Sequence, residues 1–553
     1  MLSLLRWLVL PVVLAMAWFT PRVGDRWFVG IERFGARLAA RRQIVLLGVF
    51  LSAITVRVGL LWAVPVPVPA IHDEFSYLLQ ADTFLHARLT NPSHPMSPFL
   101  DTFHVLFHPT YQSIYPPAQG AVLALGRLLG HPWVGVLFSM AVTCAVMTWM
   151  LQGWLPPNWA LVGALVFLFR IHLFSNWSDS YWGGAAAATG GALVLGAYQR
   201  IIHHQRPRDA ILMGLGTGLL ANSRPMEGFI FCIPIAAALC IRLFYKRIPD
   251  LNITGLRVGL PLLAVLAATA VFMGYYNWRV TQNAFVLPRA LYQRERLNLP
   301  VFQWEAPRTP LHYSNPQFEE FYNVVEPRLY FKSWARLSRE KIRDWWAFFM
   351  STSLLLPLAT LPWMFKDRRI RLPLVLFVWC ALGLLAVRYF FPHYAAPMTA
   401  AFFILLGQAM RHLRRWEIKG RPIGIFLSRL VVVLLLVRAG ALTTEAYRHP
   451  LVKWGVERAR IVRQLEETPG RHLVIVRYAP DHFVGREWVY NGADIDGAKI
   501  VWARDIPGQD LTPLLDYFRD RTVWIVQADS GPPKLEAYLS QTQTRAMPNK
   551  KHQ

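Results

Sequence analysis

The sequence predicts a polytopic α-helical membrane protein that ends in a small α/β domain. Of its 553 residues, 54% are hydrophobic and 13% are aromatic, which is more apolar surface than a soluble chain of this length buries. The formal net charge of +25 comes from Lys and Arg residues collected in short runs between apolar segments. Such runs indicate membrane topology rather than nucleic-acid binding, so we expect membrane lipids and no nucleic acid as partners.

Apolar runs indicate about twelve membrane spans. The predicted spans are residues 4–20, 43–64, 133–152, 159–174, 184–198, 210–222, 228–245, 258–278, 346–365, 372–390, 396–411 and 423–442. Between the first two spans the segment 21–42 is rich in arginine, and Trp27, Ile31 and Phe34 share one helical face. That pattern predicts a helix lying in the inner headgroup layer.

The basic runs also predict an orientation. If 21–42 lies in the cytoplasm, strict alternation puts every basic cluster between spans, including Lys246/Arg247, on the same side. The alternation divides the chain into a membrane module, 1–442, and an external domain, 443–553, and it places the loops 65–132 and 279–344 outside. We therefore expect a bacterial inner-membrane protein whose C-terminal domain is periplasmic.

The external tail has the pattern of a small α/β domain. Three β-like runs cover 472–477, 498–502 and 522–526, and an amphipathic helix is predicted near Leu511 to Phe518. The last stretch, 541–553, is polar and is expected to be disordered.

The adjacent carboxylates Asp73 and Glu74 stand at the head of the first external loop. The spacing of apolar residues from Phe75 to Phe84 predicts a helix along the membrane surface, with the acidic pair at its N-terminus. One interpretation is an N-cap and macrodipole role, which such residues often fill. The other is functional, because a carboxylate there could deprotonate an incoming hydroxyl group.

Further polar residues lie at the external ends of apolar spans. Arg224 and Glu227 follow one short span. They either have a structural role or bind a lipid phosphate, since guanidinium groups bind phosphate bidentately. An aspartate beside two tryptophans either binds substrate or belongs to an aromatic belt. The candidate substrate-binding residues are Tyr115, Asp179, Arg224, Glu227, Arg388, His393 and Tyr394.

The first loop also carries five histidines whose spacing matches no standard metal motif. These are His72, His86, His94, His104 and His108. We predict no metal site here and interpret the histidines as surface or hydrogen-bonding residues.

Three motifs together carry a resemblance. Asp73-Glu74, Pro116-Pro117 and the turn Pro392 to Pro397 resemble the GT-C glycosyltransferases that use polyprenyl-phosphate sugars, such as the protein O-mannosyltransferases and the lipid A aminoarabinose transferases. The resemblance covers roughly 43–411. It implies a GT-C-like membrane fold and a polyprenyl-phosphate-linked sugar as donor. It also implies Asp73 as the catalytic base.

The acceptor stays open between a glycan, a lipid and a protein. We expect an inverting transfer without a cofactor, with a divalent cation possible. The chain departs from the aminoarabinose transferases at two positions. Tyr115 and Phe390 stand where the corresponding motifs of that family have lysine. Arg224 and Arg388 are therefore predicted to hold the donor phosphate.

Two other functions fit parts of the sequence. A transporter or flippase of a lipid-linked sugar would suit about twelve spans, but its polar residues should lie near the midplane rather than at the outer face. A membrane-anchored binding protein would make the external domain the functional part and would leave Asp73-Glu74 unexplained.

Overall fold

The structure is a computed structural model that describes residues 2–245, 254–449 and 454–538. The basic pair Lys246/Arg247 and the stretch 541–553, which was predicted to be disordered, lie outside the described residues.

The chain is mostly helical. Up to the second external loop, its helices are α1 (Leu2–Phe19), α2 (Asp25–Ala40), α3 (Arg42–Gly59), α4 (His72–Leu85), α5 (Ser97–Leu100), α6 (Pro117–Leu128), α7 (Pro132–Trp154), α8 (Pro157–Phe167), α9 (Ala185–His204), α10 (Pro207–Ala221), α11 (Pro225–Tyr245) and α12 (Leu260–Thr281). A short antiparallel pair in the first loop consists of β1 (Val105–Leu106) and β2 (Gln112–Ser113).

The second half adds short helices and four helices of 16 residues or more. They are α13 (Pro288–Arg296), α14 (Pro316–Glu320), α15 (Glu326–Tyr330), α16 (Trp334–Phe349), α17 (Leu355–Leu358), α18 (Leu361–Met364), α19 (Arg371–Ala386), α20 (Thr399–Arg414), α21 (Ile423–Arg448) and α22 (Gly455–Glu467). Proline begins α6, α7, α8, α10, α11 and α13, where its missing N–H costs nothing because the first turn has no carbonyl partner for it.

The predicted fold class is confirmed. Among the described residues, six helical segments are long and apolar enough to cross a membrane, and they lie in α3, α7, α11, α12, α19 and α21. Their outer faces are apolar; on α12, for example, Leu260, Leu263 and Val271 are 61%, 64% and 73% exposed. Exposed leucine and valine at this density suit lipid rather than water.

One predicted span, 346–365, is not a single helix. Helix α16 ends at Phe349, and the chain then forms short turns that include α17 and α18 rather than one continuous helix. Pro357 and Pro362 each lack the N–H that a helix interior needs. Thr360 donates its hydroxyl to the carbonyl of Pro357 at 2.7 Å, which supports the break.

The segment 21–42 forms the predicted amphipathic helix, α2. Its Trp27, Ile31 and Phe34 are all more than 60% exposed, as expected for side chains that enter the headgroup layer. Arg429 of α21, which is buried, donates to Glu32 at 2.9 Å. This ion pair fixes α2 against the bundle.

The C-terminal α/β sheet is also present. Strands β3 (His472–Arg477), β4 (Ile500–Arg504), β5 (Thr522–Gln527) and β6 (Leu535–Ala537) form a sheet in the order β4-β3-β5-β6, in which β6 alone is antiparallel. Helix α23 (Thr512–Tyr517) lies where a helix was predicted. Strands β3 and β4 are buried on both faces, as usual for parallel strands.

The sheet domain packs directly on α4. The rings of Phe75 and Tyr490 stack at 4.3 Å, and the backbone N–H of Ala493 donates to Asp82 at 2.7 Å. Arg504 of β4 donates to Gln317 of the second loop. Residues 65–132, 279–344 and 454–538 therefore meet on one side of the helices, which we call the loop side.

Candidate active site

The acidic pair lies in the first turn of α4, and its two carboxylates are used differently. Glu74 is fully buried, and its Oε2 accepts from the backbone N–H groups of Ala70 at 2.8 Å and Ile71 at 3.1 Å. Its Oε1 accepts from the N–H of Tyr181 at 3.0 Å. A carboxylate at N3 that reaches back to the helix start is one half of a capping box. These contacts hold the helix start, and the catalytic role of Glu74 stays a prediction.

Asp73 faces the centre of the loop side. Its Oδ1 lies 2.6 Å from His104 Nδ1, and its Oδ2 accepts from the indole N–H of Trp182. Burial alone would raise the pKa of Asp73, but the charge and hydrogen bond of His104, and the hydrogen bond of Tyr115, outweigh burial and lower it below its ordinary value. Asp73 is therefore a carboxylate at neutral pH.

His104 is a site residue that the sequence did not reveal. It has a positive φ of 60°, which is uncommon for a residue with a Cβ atom. Its backbone N–H donates to Tyr292 at 3.0 Å, and its Nδ1 lies 3.0 Å from the hydroxyl of Tyr115. Asp73 and Tyr115 thus hold the imidazole, and Tyr292 holds the backbone of His104.

His72 lies beside this pair. Its Nδ1 is 2.6 Å from the hydroxyl of Tyr490 in the C-terminal domain. Burial, followed by the charge of His104, lowers the pKa of His72 to about 3. His72 is therefore neutral, and the C-terminal domain contributes Tyr490 to the surroundings of Asp73.

The turn 175–184 and the turn 388–397 meet at Trp182. The Trp182 ring contacts His393 at 4.4 Å between centroids. His393 is fully buried, and neither of its ring nitrogens has a hydrogen-bond partner among the described residues. Burial, then the charge of Arg224, lowers the pKa of His393 well below its usual value, so this predicted substrate-binding residue is a neutral imidazole between Asp73 and Arg224.

Two arginines border the same site. The Arg224 guanidinium lies 4.5 Å above the ring of Tyr394, so these two predicted residues are brought together. Arg289 of α13, which the sequence did not reveal, interacts electrostatically with Tyr115, Tyr394 and Asp73. Within the described part of the chain, neither arginine forms an ion pair with a carboxylate inside 4.0 Å.

Two crevices lead to these arginines. One is lined by Pro116, Pro117, Asn222 and Arg289 and joins the end of the first loop to α13. The other lies between α11 and α19, has mainly apolar walls, and includes Glu227 and Tyr394 in its lining. The second crevice reaches Tyr394, over whose ring Arg224 lies.

Arg388 and Asp179 lie elsewhere. The buried guanidinium of Arg388 donates to the backbone carbonyls of Gln303 at 3.1 Å and Glu305 at 2.7 Å. This ties the second loop to the end of α19 and leaves the predicted phosphate role without support. Asp179 forms an ion pair with Arg57 at 2.8 Å, which fastens its turn to α3.

Glu326 is a further acidic residue near the arginines. Its Oε1 accepts from the hydroxyl of Tyr389 at 3.1 Å, and it interacts with Arg289. Burial raises the pKa of Glu326 to about 7. In the residues that the structure describes, no three His, Cys, Asp or Glu side chains are grouped as a metal site would need.

The chain was compared with known proteins. No sequence profile of a protein family matches it, and no curated protein matches its sequence. Among solved structures it is similar to ArnT from Cupriavidus metallidurans bound to undecaprenyl phosphate, with 12% identity, a TM-score of 0.48, and coverage of 88% of this chain and 92% of that one. It is also similar to the apo oligosaccharyltransferase of Archaeoglobus fulgidus, with 12% identity and a TM-score of 0.47.

The alignment with the apo oligosaccharyltransferase covers 78% of this chain and 62% of that chain, so this chain spans less than two thirds of its length. A third similar structure is AglB from Archaeoglobus fulgidus with an inhibitory peptide and a dolichol-phosphate, with 11% identity, a TM-score of 0.41, and coverage of 88% and 69%. These are GT-C proteins, so the predicted resemblance is confirmed as a resemblance. With every TM-score below 0.5, the activity has to be inferred from the residues of the site.

Proposed function

We propose that the protein is an integral-membrane glycosyltransferase that moves a sugar from a polyprenyl-phosphate donor to an acceptor hydroxyl. The observation that carries the proposal is the grouping of Asp73, an ionised carboxylate, with Arg224 and Arg289. These arginines interact electrostatically with Glu227 and Asp73, respectively, but form no ion pair inside 4.0 Å with a carboxylate of the described residues. A base and an unpaired pair of guanidinium groups in one site suit a hydroxyl nucleophile and a phosphate leaving group.

The donor phosphate is assigned to Arg224 and Arg289. Arg289 lines the first crevice, and Arg224 lies over the ring of Tyr394, which lines the second. Guanidinium groups that form no close ion pair favour an anion. The crevice between α11 and α19 has a volume of only about 10 Å³, so we assign the first part of the prenyl chain to the apolar surface around it, which includes Met226, Ile230 and Leu384. Arg388 is left out of this role because its donors are bound to carbonyl groups.

The chemical step is a single displacement. The acceptor oxygen forms a bond to the anomeric carbon while the bond from that carbon to the phosphate oxygen breaks. The hydroxyl proton passes to Asp73, and the charge that develops on the phosphate is stabilised by the two arginines. One displacement inverts the anomeric centre.

The neighbours of Asp73 would keep it in place for this step. His104 and Trp182 each hold one carboxylate oxygen, so the carboxylate has a fixed position without becoming protonated. His393 lies between Asp73 and Arg224 as a neutral imidazole without a partner in the described structure. We assign it to a hydroxyl of the donor sugar.

The proposed setting is the outer face of a bacterial inner membrane, with the loop side in the periplasm. The basic clusters between spans support this orientation. A reporter active only outside the cytoplasm should give signal when fused after Tyr538 and none when fused after Arg415. The opposite pattern would put the site in the cytoplasm.

The transfer is further proposed to need no cofactor and to depend on a divalent cation weakly or not at all. Rates measured with EDTA and with added Mg²⁺ or Mn²⁺ should agree. A rate that EDTA abolishes and the metal ion restores would contradict this part.

The decisive experiment on function uses the purified protein in lipid nanodiscs with a radiolabelled polyprenyl-phosphate sugar and envelope extract as acceptor. The enzyme should release free polyprenyl phosphate and transfer label to the extract. In proteoliposomes, donor that moves between leaflets without being cleaved would instead identify a flippase.

A further inference from the structure

A second polar cleft lies on the loop side. It has a volume of about 270 Å³ and lies between the first loop, the second loop and the sheet domain. The residues that matter for its chemistry are Asp101, Glu295, Arg296, Ser314, Asn315 and Ile506. A volume near 300 Å³ is at the lower end of small-molecule sites.

The walls of this cleft hold both a donor and an acceptor that are unpartnered. Asp101 Oδ2 pairs with Arg296 at 2.7 Å, while its Oδ1 has no partner among the described residues. Asn315 is 6% exposed; its Oδ1 accepts from the N–H of Gln317 at 3.0 Å, and its Nδ2 is likewise unpartnered within the described structure. A buried polar atom without a hydrogen-bond partner is unfavourable, and a ligand able both to donate and to accept would supply the missing partners.

Helix α13 connects the cleft with the active site. Arg289, Tyr292 and Arg296 follow one another at intervals of three and four residues and so share a helical face. Seven residues of helix place the two arginines about 10 Å apart along the axis. Tyr292 contacts the backbone of His104 between them, so the cleft opens close to Asp73.

The sheet domain supplies the third wall. Ile506 follows β4 at the carboxyl end of the parallel strands, which is where open α/β sheets usually bind ligands. On this edge strand the backbone N–H of Trp502 donates to Asn491 Oδ1 at 2.8 Å, and Asn491 Nδ2 donates to the carbonyl of Trp502 at 2.9 Å. A peptide therefore cannot add to the β4 edge at this point.

We propose that this cleft, formed by the two loops and the sheet domain, binds the saccharide part of the acceptor, so that the acceptor of the proposed transfer is a glycan. Saccharide hydroxyl groups both donate and accept hydrogen bonds. They can therefore donate to Asp101 Oδ1 and accept from Asn315 Nδ2. Two carboxylates, Asp101 and Glu295, stand beside one guanidinium and disfavour an anionic ligand. The proposal rests on the proposed function and gives the sheet domain a role in acceptor choice.

The first test measures binding directly. Ser314→Cys places an exposed thiol in the cleft, and Glu467→Cys places one at the opposite end of the sheet as the control; both are made with Cys232 and Cys240 replaced by serine. The probe is the envelope glycan fraction of cells that lack the protein, treated with protease and extracted with chloroform and methanol. It should slow maleimide labelling of Ser314→Cys at least fivefold and leave Glu467→Cys unaffected.

The second test measures transfer. Ser314→Trp, which fills the cleft, should raise the acceptor KM at least tenfold while hydrolysis of the donor by water stays unchanged, and Glu467→Trp should behave as wild type. Unchanged KM in Ser314→Trp, or protection of Ser314→Cys by protease-released peptides or extracted lipids but not by glycan, would overturn the proposal. Protection by glycan in a protein that never cleaves the donor would instead overturn the proposed function alone.

Discussion

The Asp73 carboxylate and the His104 imidazole meet at 2.6 Å between Oδ1 and Nδ1. The two residues are 31 positions apart, and His104 adopts a left-handed backbone conformation to reach Asp73. A residue held in such a conformation is often part of a functional arrangement. In the proposed enzyme this contact fixes the direction of the base.

The role of His104 can be separated from its backbone conformation. Asparagine tolerates a positive φ and keeps an N–H donor, whereas alanine loses the donor and strains the turn. A hydrogen bond to a charged group contributes about 1.5–3 kcal/mol, so His104→Ala should lower turnover by about 10- to 100-fold, and His104→Asn should recover part of it. Steady-state rates on folded, detergent-purified protein check this. Equal rates for both variants and wild type would remove His104 from the site.

Arg224 and Arg289 should matter for donor binding, while Arg388 should not. Arg224→Ala or Arg289→Ala removes charge-assisted hydrogen bonds to phosphate and should weaken donor affinity about 10- to 100-fold. Lysine should rescue only partly because it lacks the planar fork. Affinity for a non-transferable donor analogue is the measurement.

Arg388→Ala is the matched control for these two variants. It should lower thermal stability, because two carbonyl groups lose their donor, yet the folded protein should bind the donor normally. Normal donor binding by both Arg224→Ala and Arg289→Ala would refute the phosphate assignment.

The raised pKa of Glu326 predicts that donor binding depends on pH. Its pKa is about 7 in the folded protein against an ordinary 4.5, so it is protonated below pH 7 and gains a negative charge as the pH rises above 7. That charge lies near Arg289 and competes with the donor, whose phosphodiester does not titrate in this range. Donor affinity should therefore fall from pH 6 to pH 8.5 by about fivefold, as a charge at an effective dielectric constant near 20 implies.

Glu326→Gln is the control for this effect, because the amide has no charge to gain. Its donor affinity should stay constant from pH 6 to pH 8.5. The same raised pKa means that the stability this carboxyl contributes is full below pH 4.5 and is lost as the pH rises through 7. A pH profile of Glu326→Gln identical to that of wild type would show that another group titrates.

Sequence patterns predicted the parts of the protein that depend on local spacing. The β3 run at 472–477 followed from a short apolar run, and the helix that begins beside Asp73 followed from helical spacing. Pro357 and Pro362 could have corrected the span 346–365, since each interrupts a helix.

Other features depended on distant contacts. His104, Trp182 and Arg289 come from three separate segments, and nothing in their local sequence shows that they meet. Arg388 was placed at the right turn, but only the fold of residues 301–305 decides that its guanidinium faces carbonyl groups. A guanidinium in a turn does not by itself indicate a ligand.

Substitution of Glu74 should lower mainly the stability of the fold, whereas substitution of Asp73 should lower mainly turnover. Glu74→Gln disturbs a buried carboxylate that accepts three backbone hydrogen bonds and should destabilise the fold by about 1–3 kcal/mol, with turnover of the folded fraction largely kept. Thermal unfolding followed in detergent, with the exposed Glu466→Gln as control, measures this. Unchanged stability together with lost turnover would return Glu74 to a catalytic role.

The most direct test of the central claim is the turnover of Asp73→Asn. The amide keeps the size of the side chain. Its oxygen can still accept from Trp182, and its NH2 group can donate to the other neutral tautomer of His104, so folding and donor binding should stay near wild type. Because it cannot take a proton, transfer from a purified polyprenyl-phosphate sugar should fall by about 10²- to 10⁴-fold. Turnover near the wild-type level in this variant would contradict the assignment of Asp73 as the base.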